Sequence, residues 1–422
     1  DDLRNTLAPE IFLQYNGFYF KETLNDVVGV KAFVPPWFVV NKNGITSSSG
    51  FFGLPLLLTS FYAILSGPSA FIFFQMVIQS MIILVSYLII RTFIFKGNIL
   101  FYLIFLFSFS PFFISLHSVF YPENTSLLFQ ALSLYFILLL IKDVKKSSSK
   151  MLFILFYFIG LSLLIKLANF IFLAPIIFLF FFKKKIKLIY LTFFIVLVGL
   201  IMLPQYWFNY KTLGDPFQSY FTSYEDPYRD SRDNFSWEQG YYSTKKWLFL
   251  FRFFTEYILP QGGASFAQFS VYYPNLLFSS VFIVFFFFSF KHIALKSDFR
   301  LALFFVMLIT LYFFSNMGGG FGFGSVNIRS SFMRYTYIVN YLVIIFWFLG
   351  YYKSYRHSMS ASLLVLANFI FLISLYPINS YVFGNIKKEI IPAINYARNI
   401  PEGSIILSPG FNDGFLFQDG YR

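Results

Sequence analysis

A series of long apolar runs, separated by short connections that carry lysine and arginine on alternate sides, leaves this chain few folds. The runs cover residues 51–65, 69–93, 99–116, 125–141, 151–165, 168–182, 188–204, 271–290, 301–314, 336–349 and 361–375. They are continuous rather than alternating in polarity, whereas a membrane strand would show about 10 residues of alternation. In lipid the backbone must satisfy its own hydrogen bonds, so helices are the spanning element. The first run is short and broken by Gly53 and Pro55, which predicts a re-entrant or interfacial helix. The other ten predict spans. The expected fold class is an all-α polytopic membrane protein.

The basic connections orient it. Arg91 and Lys96; Lys142, Lys145, Lys146 and Lys150; Lys183, Lys184, Lys185 and Lys187; Lys291, Lys296 and Arg300; and Lys353 and Arg356 fall between alternate pairs of runs. The positive-inside rule makes all five connections cytoplasmic. The expected organisation is a first extracytoplasmic loop with interfacial helices (1–68), a transmembrane domain (69–376) with a large extracytoplasmic loop (205–270), and a C-terminal tail (377–422) on the same outer side. In that tail, 387–399 suits an amphipathic helix, Ile400-Pro401-Glu402-Gly403 a stop and 404–407 a buried strand, the start of a small α/β domain. The chain opens on Asp1, not Met, so a further span is expected upstream.

Composition narrows the chemistry. Charged residues make up 12% of the chain, against about a quarter in soluble domains. A net charge of +13 would suggest nucleic acid in a soluble protein, but here the cytoplasmic connections account for it, and no nucleic-acid partner is expected. The absence of cysteine excludes disulfides, thiolate metal sites and cysteine nucleophiles. The 66 phenylalanines suit lipid contact better than an aromatic cofactor box.

The ionisable residues at the outer ends of the runs are Asp1, Asp2, His117, Glu123, Lys166, Arg329 and Arg334. Charge beside hydrocarbon is costly, so function is the default explanation for each. Asp1-Asp2 could equally be a solvated loop start. Tyr121-Pro122-Glu123 opens a run, where Pro fits the first helical turn and Glu favours the positive end of the dipole. Lys166, at a tight turn between two runs, either snorkels outward or meets an anionic lipid head group. Arg329 and Arg334 follow the glycine-rich stretch 317–324, whose backbone could approach a ligand closely. Guanidinium binds phosphate oxygens with two donors, which makes Arg334 the best phosphate candidate. His117 reads as an interfacial residue. Asn124-Thr125-Ser126 and Asn234-Phe235-Ser236 form weak outer-face glycosylation sequons.

The order of acidic pair, Asn43-Gly44, Ser47-Ser48-Ser49-Gly50, Gly53-Leu54-Pro55-Leu56-Leu57, Tyr-Pro-Glu, outer lysine and late Arg-Tyr resembles the GT-C glycosyltransferases. The branch it looks most like holds the protein mannosyltransferases and the lipid A aminoarabinose transferases. Asn209-Tyr210-Lys211-Thr212-Leu213-Gly214-Asp215-Pro216-Phe217 is the most specific match, similar to a segment after a span in many prokaryotic members. The Lys-Pro-Pro of the aminoarabinose enzymes is not reproduced, since Pro35-Pro36 follow Val34, and no metal-binding Asp-x-Asp of the oligosaccharyltransferase kind is evident.

The resemblance implies an inverting transferase of the plasma membrane and cell envelope, acting on its extracytoplasmic face. A polyprenyl-phosphate sugar would be the donor, and a protein, lipid or glycan the acceptor. Asp1 or Asp2 would be the base, Glu123 a second acidic contact, and Lys166, Arg329 and Arg334 the lipid-phosphate contacts. No cofactor is implied, and a divalent metal stays open. The rivals are a polysaccharide polymerase or ligase, and a secondary transporter or flippase of lipid-linked glycans. Transporters hold charges near the bilayer midplane, whereas these cluster at one face, which favours an enzyme.

Overall fold

The computed structural model describes residues 2–21, 38–40, 45–48, 51–65, 68–93, 122–142, 149–166 and 188–217, with the single positions 169, 173, 307, 308, 338, 341, 342, 345 and 346. The apolar runs at 99–116, 271–290 and 361–375, the tail 377–422, and Asp1, His117, Asn234, Arg329 and Arg334 lie outside the described residues.

What is described is mostly helical. Helix α1 (Asp2–Tyr15) leads into strand β1 (Tyr19–Lys21), followed by β2 (Phe38–Val40) and β3 (Ile45–Ser48). Then come α2 (Gly53–Tyr62), α3 (Pro68–Phe93), α4 (Pro122–Lys142), α5 (Ser149–Ile165) and α6 (Leu188–Leu213). Ser69–Thr92, Pro122–Leu140 and Ile189–Thr212 are long and apolar enough to cross a membrane. Helix α2, with 10 residues, is about 15 Å long and too short to do so, as expected for an interfacial element.

Helix α4 is the centre of the bundle. It packs on α3 and α5, and α5 packs in turn on α6. Its side chains Leu127, Leu134, Ile137 and Leu138 are fully enclosed, whereas α6 exposes Ile189, Phe193, Val196, Leu200, Leu203 and Trp207. Those six recur at intervals of three and four, one continuous stripe of an α-helix. Lipid gives apolar helices little reason to associate, so close packing and buried hydrogen bonds carry the contacts. At Gly160 an added Cβ would lie 2.5 Å from Ile201 Cδ1, which is how α5 and α6 approach. Ser86 on α3 shares a buried 2.9 Å hydrogen bond with the hydroxyl of Tyr341, joining positions 255 residues apart.

The first loop is a small structure of its own. Strands β1 and β2 both pair antiparallel with β3, giving the order β1-β3-β2 with Tyr19 opposite Ser47 and Phe38 opposite Ser48. The short strands had no pattern of alternating apolar residues and were not expected. Four rings fasten this loop to the bundle. Phe18 packs at a tilt on Phe12 and stacks on Phe52, with centroids 4.7 and 5.6 Å apart, and Phe52 meets Phe208 of α6 at 5.5 Å. Each such pair is worth about 0.5–1.5 kcal/mol beyond its area, so some of the phenylalanines do more than face lipid.

Helix α6 differs from expectation at its end. The apolar run stops at Pro204, but the helix continues through it to Leu213. A proline within a membrane helix removes one backbone donor, a loss that neighbouring groups can offset. The residues beyond Pro204 carry the polar side chains that anchor the first loop, so hydropathy alone reads them as loop.

Candidate functional site

The Glu123–Lys166 ion pair and most of the buried side-chain amides gather at one end of the bundle. The start of α3, the start of α4, the end of α5 and the end of α6 meet there. The hydrogen bond from Asn124 Nδ2 to Gln75 Oε1, at 3.3 Å, shows that α3 and α4 begin side by side and run parallel.

Glu123 lies in the first turn of α4, directly after Pro122, where proline loses no hydrogen bond and the carboxylate meets the positive end of the helix dipole. It is buried. A carboxylate taken from water is costly unless paired, and its partner comes from the other side of the bundle. Lys166, the residue after α5 ends, donates from Nζ to Glu123 Oε1 at 3.0 Å. The carboxylate is 6% exposed and the ammonium 22%, so the pair opens outward on the lysine side. From sequence the two residues looked like separate contacts with opposite partners. The structure brings them into one ion pair.

The turn that carries Lys166 is fixed by Asn169. Lys166 N donates to Ser162 O at 3.0 Å, and Asn169 N donates to Lys166 O at 3.0 Å. The Asn169 amide is buried; its Nδ2 donates to Ser126 Oγ at 2.7 Å and to Ser162 O at 2.8 Å, while its Oδ1 accepts from Gln130 Nε2. Asn169, Gln130 and Gln75 did not stand out in the sequence, and Ser126 did so only as part of a sequon. Their signal was polarity inside apolar runs, visible only once the helices are paired.

Two other contacts hold the first loop over this end. Gly53, at the start of α2, lies so close to α5 that an added Cβ would be 2.6 Å from Leu164 O and 3.0 Å from Ile165 N. The glycine of the Gly-Leu-Pro-Leu-Leu stretch is thus a point of backbone contact one residue from Lys166. Phe52 N donates to Gln205 Oε1 at 2.9 Å, and Gln205 Nε2 donates to Asn209 Oδ1 at 2.9 Å. Asn209 Nδ2 donates to Pro216 O at 3.2 Å. Gly214 has φ of 86°, the left-handed turn that ends helices, and donates to Tyr210 O. Asp215 Oδ1 accepts from Phe217 N at 2.9 Å, an Asx turn. The motif from Asn209 to Phe217 is therefore a helix cap that also braces the loop.

Asp2 is the first residue of α1, which packs on α2, and α2 packs on α3 and α5. The expected acid therefore begins a helix docked at the same end of the bundle as Glu123 and Lys166. The same helix carries a carboxylate that the sequence did not single out. Burial raises the pKa of Glu10 above the ordinary carboxylate value, and burial together with the charge of Glu10 pushes Tyr62 on α2 up to about 12. Asn124 is fully buried, which removes the first sequon from any modifying enzyme in the folded protein. In the folded protein the sequon falls within the contact between α3 and α4.

Residues 52–207 match the model of a family described as Dolichyl-phosphate-mannose-protein mannosyltransferase. That stretch, 156 of the 422 residues, is similar to a GT-C type family. The match takes in Gly53, Glu123, Lys166 and Gln205; Asp1 and Asp2 precede it, and Arg329 and Arg334 follow it. No curated protein and no solved structure matches the chain. The match supports a membrane glycosyltransferase of GT-C type, and the family implies a lipid-linked sugar donor in a membrane setting. The branch read from the short motifs is the branch the family match gives.

Proposed function

We propose that the enzyme transfers a sugar from a polyprenyl-phosphate donor to an acceptor on the extracytoplasmic face of the plasma membrane, with inversion at the anomeric carbon. The observation that carries this reading is the Glu123–Lys166 pair at one end of the bundle, with its cationic side the more open. Glycosyl transfer from a lipid phosphate needs a cation for the departing oxygen more than it needs an acid, because phosphate is a good leaving group. Lys166 supplies that cation. Glu123 holds the ammonium in place.

The acceptor nucleophile attacks the anomeric carbon from the face opposite the phosphate. As the new bond forms, the bond to the phosphate oxygen breaks, and its electrons leave with the polyprenyl phosphate. The acceptor's proton passes to the carboxylate of Asp1 or Asp2, which the docking of α1 supports as the base. Arg329 and Arg334 complete the binding of the lipid phosphate. A single carboxylate suffices, unlike the two that glycoside hydrolysis requires.

The test uses the full chain in proteoliposomes with labelled polyprenyl-phosphate sugars and, separately, labelled nucleotide sugars. Transfer is expected from the lipid donor alone, and Lys166→Met is expected to lower it by about 100- to 1,000-fold, as removal of an oxyanion donor does. Transfer from a nucleotide sugar, or a Lys166→Met enzyme as active as the parent, would overturn the reading.

A further inference from the structure

Four hydrogen bonds converge on one buried amide next to the ion pair, and they are arranged to fix a position. Asn169 uses both amide protons, one on Ser126 Oγ of α4 and one on Ser162 O of α5, and its Oδ1 takes a third bond from Gln130 of α4. Its backbone N–H makes the fourth bond, to the carbonyl of Lys166 itself. It is 3% exposed. The same carbonyl, Ser162 O, accepts from both Asn169 Nδ2 and Lys166 N, so the side chain closes the turn from which Lys166 projects. Ser126 is three residues beyond Glu123 on α4, one helical turn along the same face. One side chain thus ties the backbone carrying the cation to the helix carrying its carboxylate.

We infer that Asn169 is a positioning residue for donor recognition: it sets where the Lys166 ammonium stands, and through Lys166 it governs affinity for the phosphate of the polyprenyl donor. The inference rests on the reading of Lys166 as the phosphate contact. Fully buried amides with every donor used are stiff, because each alternative orientation leaves a donor or acceptor unsatisfied. A lysine stem is long and carries much rotamer freedom, so an ammonium aimed at one point needs its backbone fixed as well as its charge paired. Glu123 supplies the pairing and Asn169 the fixed backbone. A residue that only stabilised the bundle would affect the amount of folded protein, and its effect on phosphate binding would not depend on Lys166.

That difference sets the experiment: binding of a fluorescent polyprenyl phosphate to the purified full chain in detergent, for the parent, Asn169→Ala, Lys166→Met and the double variant, with thermal unfolding of each. The expected result is affinity about tenfold weaker in Asn169→Ala, at least as weak in Lys166→Met, and no weaker in the double variant than in Lys166→Met. Ser126→Ala removes one of the four bonds and is expected to weaken binding about two- to fourfold, which keeps the test available where Asn169→Ala yields no folded protein. Unchanged affinity in Ser126→Ala and Asn169→Ala, with Lys166→Met impaired, overturns the positioning role alone. Losses that multiply in the double variant also overturn it. Unchanged affinity in Lys166→Met overturns the role together with the reading beneath it.

Discussion

Replacing Gly53 by alanine probes the contact on which the first loop and the cationic turn both depend. The new Cβ would stand 2.6 Å from Leu164 O, 2.7 Å from Leu164 C and 3.0 Å from Ile165 N, against 3.4 Å for ordinary contact. The atoms it meets are backbone, so no rotamer change relieves the clash. Helix α2 or the end of α5 must move by roughly 0.8 Å, the difference between 2.6 and 3.4 Å. Overpacking of this kind costs about 1–3 kcal/mol. A shift of α5 here moves the residue before Lys166, whose ammonium is 3.0 Å from Glu123, so donor use should fall along with stability. Gly199 on α6 is the control, with nothing within 4 Å of an added Cβ; alanine there should be neutral or slightly favourable, since glycine costs about 1 kcal/mol within a helix. The assay is thermal unfolding in detergent, followed by transfer at equal folded protein. A Gly53→Ala enzyme as stable and active as Gly199→Ala would refute the close-contact argument.

Because adjacent side chains point in different directions in either a helical or an extended segment, one of Asp1→Asn and Asp2→Asn is expected to lower transfer by about 100- to 10,000-fold with polyprenyl phosphate binding retained; parental rates in both would remove the acid from the mechanism. Glu10 gives a pH signature: burial raises its pKa in the folded state, so the fold binds a proton more tightly than the unfolded chain does, and stability falls as pH rises from the ordinary carboxylate value through the raised one. Glu10→Gln should lose that fall in unfolding temperature, and a parent and variant with the same pH profile would contradict the burial of the charge.

The membrane class was readable from the lengths of the apolar runs, because lipid demands satisfied backbones and little else. The ends of the helices were less legible. Helix α6 passes Pro204 because Gln205 and Asn209 find partners inside the protein, and hydropathy counts such residues as loop. The strands of the first loop were hidden because β1 and β3 are three and four residues long and pair across an intervening segment. Of the site, Glu123 and Lys166 were legible singly, as charges at the edge of apolar runs. Their pairing was not, since 43 positions separate them and only the packing of α4 on α5 joins them. Asn169 was invisible for a related reason: an amide within a hydrophobic stretch looks like noise until its three helical partners stand around it. The motif from Asn209 to Phe217, specific as a string, forms a helix cap.

The claim that the pair exists for the donor and not for the fold is tested by removing both charges at once. Deleting one partner of a buried pair costs stability because it strands the other, whereas replacing both with neutral groups of similar size is often close to neutral. Glu123→Gln combined with Lys166→Met is therefore expected to unfold at a temperature at or above that of either single variant, and near the parent. Its transfer from a polyprenyl-phosphate sugar is nonetheless expected to stay about 100- to 1,000-fold below the parent rate. A double variant that is stable and transfers sugar at the parental rate would contradict the account, because the pair would then be structural alone.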